Sequence, residues 1–232
     1  MHNKIITQKR ILLCTKIDEV VGSGHAIRCK ALLNNLKIDY KLSILGGGEL
    51  IKKYFPDAIF YKVDNFKEVE GVDSLLENVD LIIADIPFYC EIDWNIFKKS
   101  NSKLVIFDDH GGSLPGDLII NGGVFHGYHD YKNVKPTAKL CLGGEYAILR
   151  EEFTSSRWID TKNKVLTIIV GSGADASRWL LNLIPQVFQF NVQKINIVVS
   201  STFAPYEILE SLCYKGDISL HKDLNANQLR QL

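Results

Sequence analysis

Short apolar runs alternate with amphipathic stretches almost from one end of the 232-residue chain to the other. The β-rich runs at 10–14, 40–45, 59–63, 80–84, 103–107, 117–120, 139–142, 164–170, 194–200 and 217–220 predict strands. Several of them (LIIA, LVIF, LTIIV, INIVV) lack polar alternation, as strands covered on both faces do. Between them, apolar positions at helical spacing predict helices over 25–36, 65–77, 93–99, 174–188 and 205–214, with another helical pattern at 224–232. Strands alternating with helices make βαβ units, so the pattern predicts an α/β fold built on parallel sheets.

The rhythm breaks at 152–163, where EFTSSRWIDTKN is polar and has no periodic apolar face; KVLTIIVGSGADAS then starts a new βα cycle. Two domains are expected, 1–152 and 163–232. The second has three predicted strands in roughly 70 residues, the low end of domain size. Doubly wound sheets form their ligand crevice where strand order reverses among five or six strands, so the second domain is expected to be incomplete.

Composition narrows the function classes. Lys plus Arg and Asp plus Glu both number 27, which supplies none of the basic excess that nucleic-acid or membrane-surface binding requires. No apolar run reaches the roughly eighteen residues of a membrane span, and residues 1–10 lack the apolar centre of a signal peptide. Cys14, Cys29, Cys90, Cys141 and Cys213 are scattered and odd in number, so neither metal-ligand spacing nor a disulfide framework is present. A cytoplasmic protein with reduced thiols is expected.

The strongest local signal is Val21-Gly22-Ser23-Gly24-His25-Ala26-Ile27-Arg28-Cys29, between the first predicted strand and a helix. Glycines permit a tight turn and close backbone approach, and free N–H groups at a helix start attract an anion. A His in that first turn feels the positive end of the helix dipole, which favours the neutral base. Arg28, three positions on, is placed to hold a phosphate or to orient a carboxylate. Against this stands a plainer reading, in which Gly22 and Gly24 make a turn and His25 caps it. The spacing fits neither the dinucleotide fingerprint nor a P-loop.

GSGHAIRC is similar to the N-terminal motif of the UDP-2,4-diacetamido-trideoxy-altropyranose hydrolases of pseudaminic-acid biosynthesis. Four further stretches match in order: DLIIAD ending at Asp85; LVIFDDHGGSLPGDLIINGG with Asp108, Asp109 and Asn121; LCLGGEYAILREEF; and VLTIIVGSGADAS. The resemblance covers nearly the whole chain. It implies two Rossmann-like domains of the B-type glycosyltransferase architecture, and release of UDP from a UDP-linked amino sugar, with His25 as the base that activates water. Arg28 and Asp85 would join His25 in catalysis. Gly22, Ser23, Gly24, Asp109, Asn121, Tyr146, Arg150, Gly171, Ser172 and Gly173 would bind substrate, the second glycine turn facing the nucleotide. Each has a structural alternative: Asp85 and the Asp108–Asp109 pair as turn caps, Tyr146 as hinge packing, Arg150 as a structural ion pair, and 171–173 as an ordinary βα turn.

No cofactor or metal is implied; His126 and His129, three apart in a Gly- and Tyr-rich loop, are read as loop residues. The expected partner is a UDP-sugar, with no nucleic acid and no membrane span, in a monomer or weak homo-oligomer. The sequence departs from the family at Cys14-Thr15-Lys16, where an Arg-x-Asp element is usual, and at Ile86-Pro87, where a His-Tyr pair follows the aspartate. The family's UDP-contacting Glu segment has no counterpart before Leu232. Two rival readings therefore stand beside the hydrolase: a glycosyltransferase of the same fold, and a truncated, non-catalytic sugar-nucleotide-binding remnant.

Overall fold

The computed structural model describes residues 8–18, 21–67, 69, 71–87, 90–154, 164–170, 174–187, 189, 192–199, 210 and 217–232. The chain divides into two compact units, Met1–Asp18 with His25–Ile148, and Glu19–Gly24 with Leu149–Leu232.

The first unit is built on seven parallel strands: β1 (Lys9–Lys16), β2 (Tyr40–Gly47), β3 (Ile59–Lys62), β4 (Leu81–Asp85), β5 (Lys103–Phe107), β6 (Leu118–Asn121) and β7 (Lys139–Leu142). Their order is β3-β2-β1-β4-β5-β6-β7. The unalternating apolar runs now have their physical reason. Ile11 and Leu13 of β1 bury one face of the sheet with Ala26, Cys29 and Leu33 of α1 (Gly24–Asn34). Leu12 and Cys14 bury the other with Phe97 and with Val72 and Leu76 of a second helix. Each fully buried side chain of this size contributes about 1.5–3 kcal/mol, so a polar residue on either face would carry a penalty.

Every strand read from the sequence is present; the helices differ more. A four-residue helix, α2 (Ile51–Tyr54), was not expected. The helix expected over 65–77 is reduced to α3 (Val72–Leu76). Asn65 accepts a hydrogen bond from the Lys67 backbone N–H, Phe66 forms an isolated parallel bridge with Ile92, and Gly71 takes φ 71°. A side chain that competes for the backbone and a left-handed glycine stop the helix from starting earlier. Residues Trp94–Lys99 form a 3₁₀ helix whose first turn is capped by the Asp93 carboxylate.

In the second unit, α4 (Glu151–Thr154) is a single turn that runs into the start of the polar break. A parallel sheet follows, β8 (Val165–Ile169), β9 (Lys194–Val199) and β10 (Ile218–Lys222), in the order β10-β9-β8. Leu180, Ile184 and Val187 of α5 (Ala174–Val187) pack on Ile195 and Ile197. The last helix, α6 (Ala226–Arg230), starts at a capping box in which Asn225 and Gln228 each hold the other's backbone N–H. Most of the expected helix 205–214 lies outside the described residues. No helix among the described residues is long and apolar enough to cross a membrane.

Candidate functional site

In the first unit the strand order reverses between β1 and β4: the chain leaves β1 for β2 and β3 on one side, and returns to β4 on the other. The carboxyl ends of strands at such a reversal diverge into a crevice, where open α/β sheets place their ligands. His25 and Arg28 reach this point from the first turns of α1, and Asp85 from the last position of β4. Asp109 follows β5 by two residues.

These four side chains form one cluster. Asp85 is 1% exposed; its Oδ1 lies 2.6 Å from His25 Nδ1 and accepts from Arg28 Nη2 at 2.6 Å, while its Oδ2 accepts from Arg28 Nε at 2.9 Å. Arg28 continues to Asp109, donating from Nη1 at 2.8 Å and Nη2 at 3.0 Å, and its guanidinium stands 5.1 Å above the Phe107 ring. Cys29 Sγ is 3.5 Å from Asp85 Oδ2.

The electrostatics follow from burial and pairing. Burial alone would raise the Asp85 pKa, but the hydrogen bonds from Arg28 and His25 outweigh it and hold the carboxyl below its ordinary value. Burial alone would likewise lower Arg28, and its bonds to Asp85 and Asp109 drive it above its usual range. Burial, then the neighbouring Asp85 charge, pushes the Cys29 thiol up, so that sulfur is no nucleophile. An ionised carboxylate only accepts, so the His25 proton facing it sits on Nδ1. A neutral His25 then carries its lone pair on Nε2, and the ring is 22% exposed.

The adjacent aspartates part company. Asp108 accepts from the backbone N–H groups of His110 and Gly111 and from the Tyr131 hydroxyl at 2.5 Å. Asn121, 1% exposed, donates from Nδ2 to Tyr131 Oη and accepts from Gly123 N–H, both at 2.8 Å. Burial, then the bond to Asp108, raises the Tyr131 hydroxyl pKa. Tyr131 thereby ties the loop after β6 to the ends of β5 and β6. Sequence reasoning missed it, because one Tyr in a loop carries no periodic or spacing signal.

The other expected residues supply none of the hydrogen bonds just described. Gly22 takes φ 72°, and Gly24 opens α1 with nothing within 4 Å of where a Cβ would stand. Tyr146 is 42% exposed in the turn after β7. Arg150 lies over the Phe153 ring at 4.8 Å. Gly171, Ser172 and Gly173 fall outside the described residues. Thr15, the register partner of Asp85, is fully buried, and its hydroxyl has no hydrogen-bond partner among the described residues.

Neither a family model nor a curated protein matches this chain. Solved structures do. A glycosyltransferase from Rickettsia africae ESF-5 superposes with a TM-score of 0.52 at 10% identity, over 95% of this chain and 69% of that one. MurG from Acinetobacter baumannii superposes at 0.50 and 12% identity, over 92% of this chain and 65% of its own. The fold is that of the B-type glycosyltransferases. This chain spans about two thirds of the length of these two structures, and at such identities the likeness concerns the fold alone.

Proposed function

We propose that this protein releases UDP from a UDP-linked amino sugar, with His25 as general base. The observation that carries the reading is the 2.6 Å approach of His25 Nδ1 to a buried carboxylate, Asp85, that Arg28 holds ionised. A carboxylate so fixed orients the imidazole, selects its tautomer and stabilises the imidazolium formed when Nε2 takes a proton. Water would give that proton to Nε2 as its oxygen bonds the anomeric carbon. The bond from that carbon to the UDP oxygen breaks on the opposite side, with inversion, and UDP leaves with the electron pair. Backbone N–H groups of the Gly22–Ser23–Gly24 turn are the proposed pyrophosphate donors, and the sequence reading adds Gly171, Ser172 and Gly173 to them. Arg28 already spends its hydrogen bonds on Asp85 and Asp109, so its role is to position the base rather than to bind phosphate. Cytoplasmic residence and sugar-nucleotide metabolism belong to the same proposal.

A glycosyltransferase is the second reading, favoured by the likeness to the Rickettsia and Acinetobacter proteins. The same base would then deprotonate an acceptor hydroxyl. Calorimetry with UDP, beside a UDP-release assay on UDP-linked amino sugars, tests both. Micromolar binding with release in buffer alone supports the hydrolase; release only with an added sugar alcohol supports the transferase. Absence of UDP binding overturns both.

A further inference from the structure

Two cations face one another on the other side of the same sheet and at its other end. Arg10 and Lys41 are register partners near the starts of β1 and β2, and such partners in a parallel pair project from the same face. Like charges in that relation repel. Along the same face, Ser43, Leu45, Ile59 and Tyr61 join them in lining a cavity of about 450 Å³, closed on its far side by Val72 and Leu75. That volume is in the range of small-molecule sites, about 300–1,000 Å³.

Nothing acidic among the described residues lines this cavity. Asp80, beside Arg10, is taken by Lys9 Nζ at 3.0 Å and by the Arg10 backbone N–H at 2.8 Å. The Arg10 guanidinium donates to a neutral group, Asn78 Oδ1, at 3.1 Å. Toward the opposite end Lys62 lines the cavity beside Ile59 and Tyr61, which remain 57% and 41% exposed. The cavity therefore carries three cations, Arg10 and Lys41 at one end and Lys62 at the other, with the Ser43 hydroxyl between them and apolar side chains beside Lys62.

We propose that it binds a small organic anion, with a phosphate or sulfonate at Arg10 and Lys41 and a compact apolar body against Leu45, Ile59 and Tyr61. The site is separate from the His25 cluster, which lies at the carboxyl ends of β1 and β4 on the face covered by α1.

Anilinonaphthalene sulfonate, an aromatic body with one fixed negative charge, is the probe, titrated by fluorescence into the full chain. Saturable one-to-one binding is expected, weakened about tenfold by Lys41→Glu through loss of one charge-assisted contact. Lys37→Glu, the same charge change away from the cavity, leaves affinity unaltered. Ser74→Trp, which fills the cavity without changing charge, abolishes binding, and phenyl phosphate displaces the dye where phenol does not. Circular dichroism verifies that each variant is folded. Equal affinity in Lys41→Glu and the parent, equal loss in both Lys variants, or equal displacement by phenol overturns the proposal. Displacement by UDP without any effect of Lys41→Glu assigns the dye to the His25 cluster and overturns it too.

Discussion

The two edges of the seven-stranded sheet both carry aspartates paired with cations, yet they use them differently. At the amino edge, Asp80 and Asp117 precede β4 and β6. Asp80 accepts the Arg10 N–H and pairs with Lys9; Asp117 accepts the Leu104 N–H and pairs with Lys135 at 2.7 Å. Each satisfies the backbone of a neighbouring strand and holds a lysine at the rim. At the carboxyl edge Asp85 is sealed from solvent, held by the Arg28 fork and set against an imidazole. Ion pairing alone therefore does not mark a site. What sets Asp85 apart is burial, a planar two-point partner and an imidazole that is 22% exposed.

The sharpest way to break this contrast is to remove the carboxylates one at a time. Asp85→Ala removes the buried partner of both His25 and Arg28, leaves Arg28 paired only with Asp109, and should cost about 1.5–3 kcal/mol in urea denaturation. A cost below about 1 kcal/mol would put Asp85 in the same class as Asp117. The pH dependence carries a definite sign. The folded pKa of Asp85 lies below its unfolded value, so its stabilisation is complete above about pH 4 and fades as pH falls through the folded value. Stability measured from pH 6 downward should fall less steeply for Asp85→Asn than for the parent chain.

Next in size, on the proposed reading His25→Ala lowers UDP release by roughly a hundredfold or more, at a cost in stability of about 1–2 kcal/mol for the lost bond to Asp85. Unchanged turnover would remove His25 from the mechanism. Tyr131→Phe deletes one hydroxyl that joins Asp108 to Asn121 and should cost about 1–2 kcal/mol; a neutral result would mean the loop after β6 is held by other contacts. Asp117→Asn, at the amino edge, should cost about 1 kcal/mol or less, since its lysine pairs stand in solvent.

Much of the fold was legible because its signal is local. Leu12 and Leu13, or Ile82 and Ile83, are adjacent apolar residues that a parallel strand sends to opposite buried faces, and no helix explains such short runs as well. The interruption at 65–71 was not legible, because Phe66 leaves the helical pattern to bridge Ile92, a residue far along the chain. At the site, the Gly22–Arg28 turn stood out as a local motif, and Asp85 and Asp109 were visible as polar residues at the ends of apolar runs. That Asp109 faces Arg28 while Asp108 turns to the loop rests on how successive side chains leave a strand end.

By itself the sequence determined the alternation of strands and helices, the covering of several strands on both faces and a glycine-histidine turn at the start of α1. These follow from periodicity and backbone stereochemistry, which act over a few residues. The tertiary structure alone decided that β4 lies beside β1, so that Asp85 meets His25 and Arg28 across some sixty positions of chain. It alone also recruited Tyr131 and set Arg10 against Lys41. Strand order is settled by which apolar faces pack together over the whole sheet, and a charge's neighbours are known only once that order is closed.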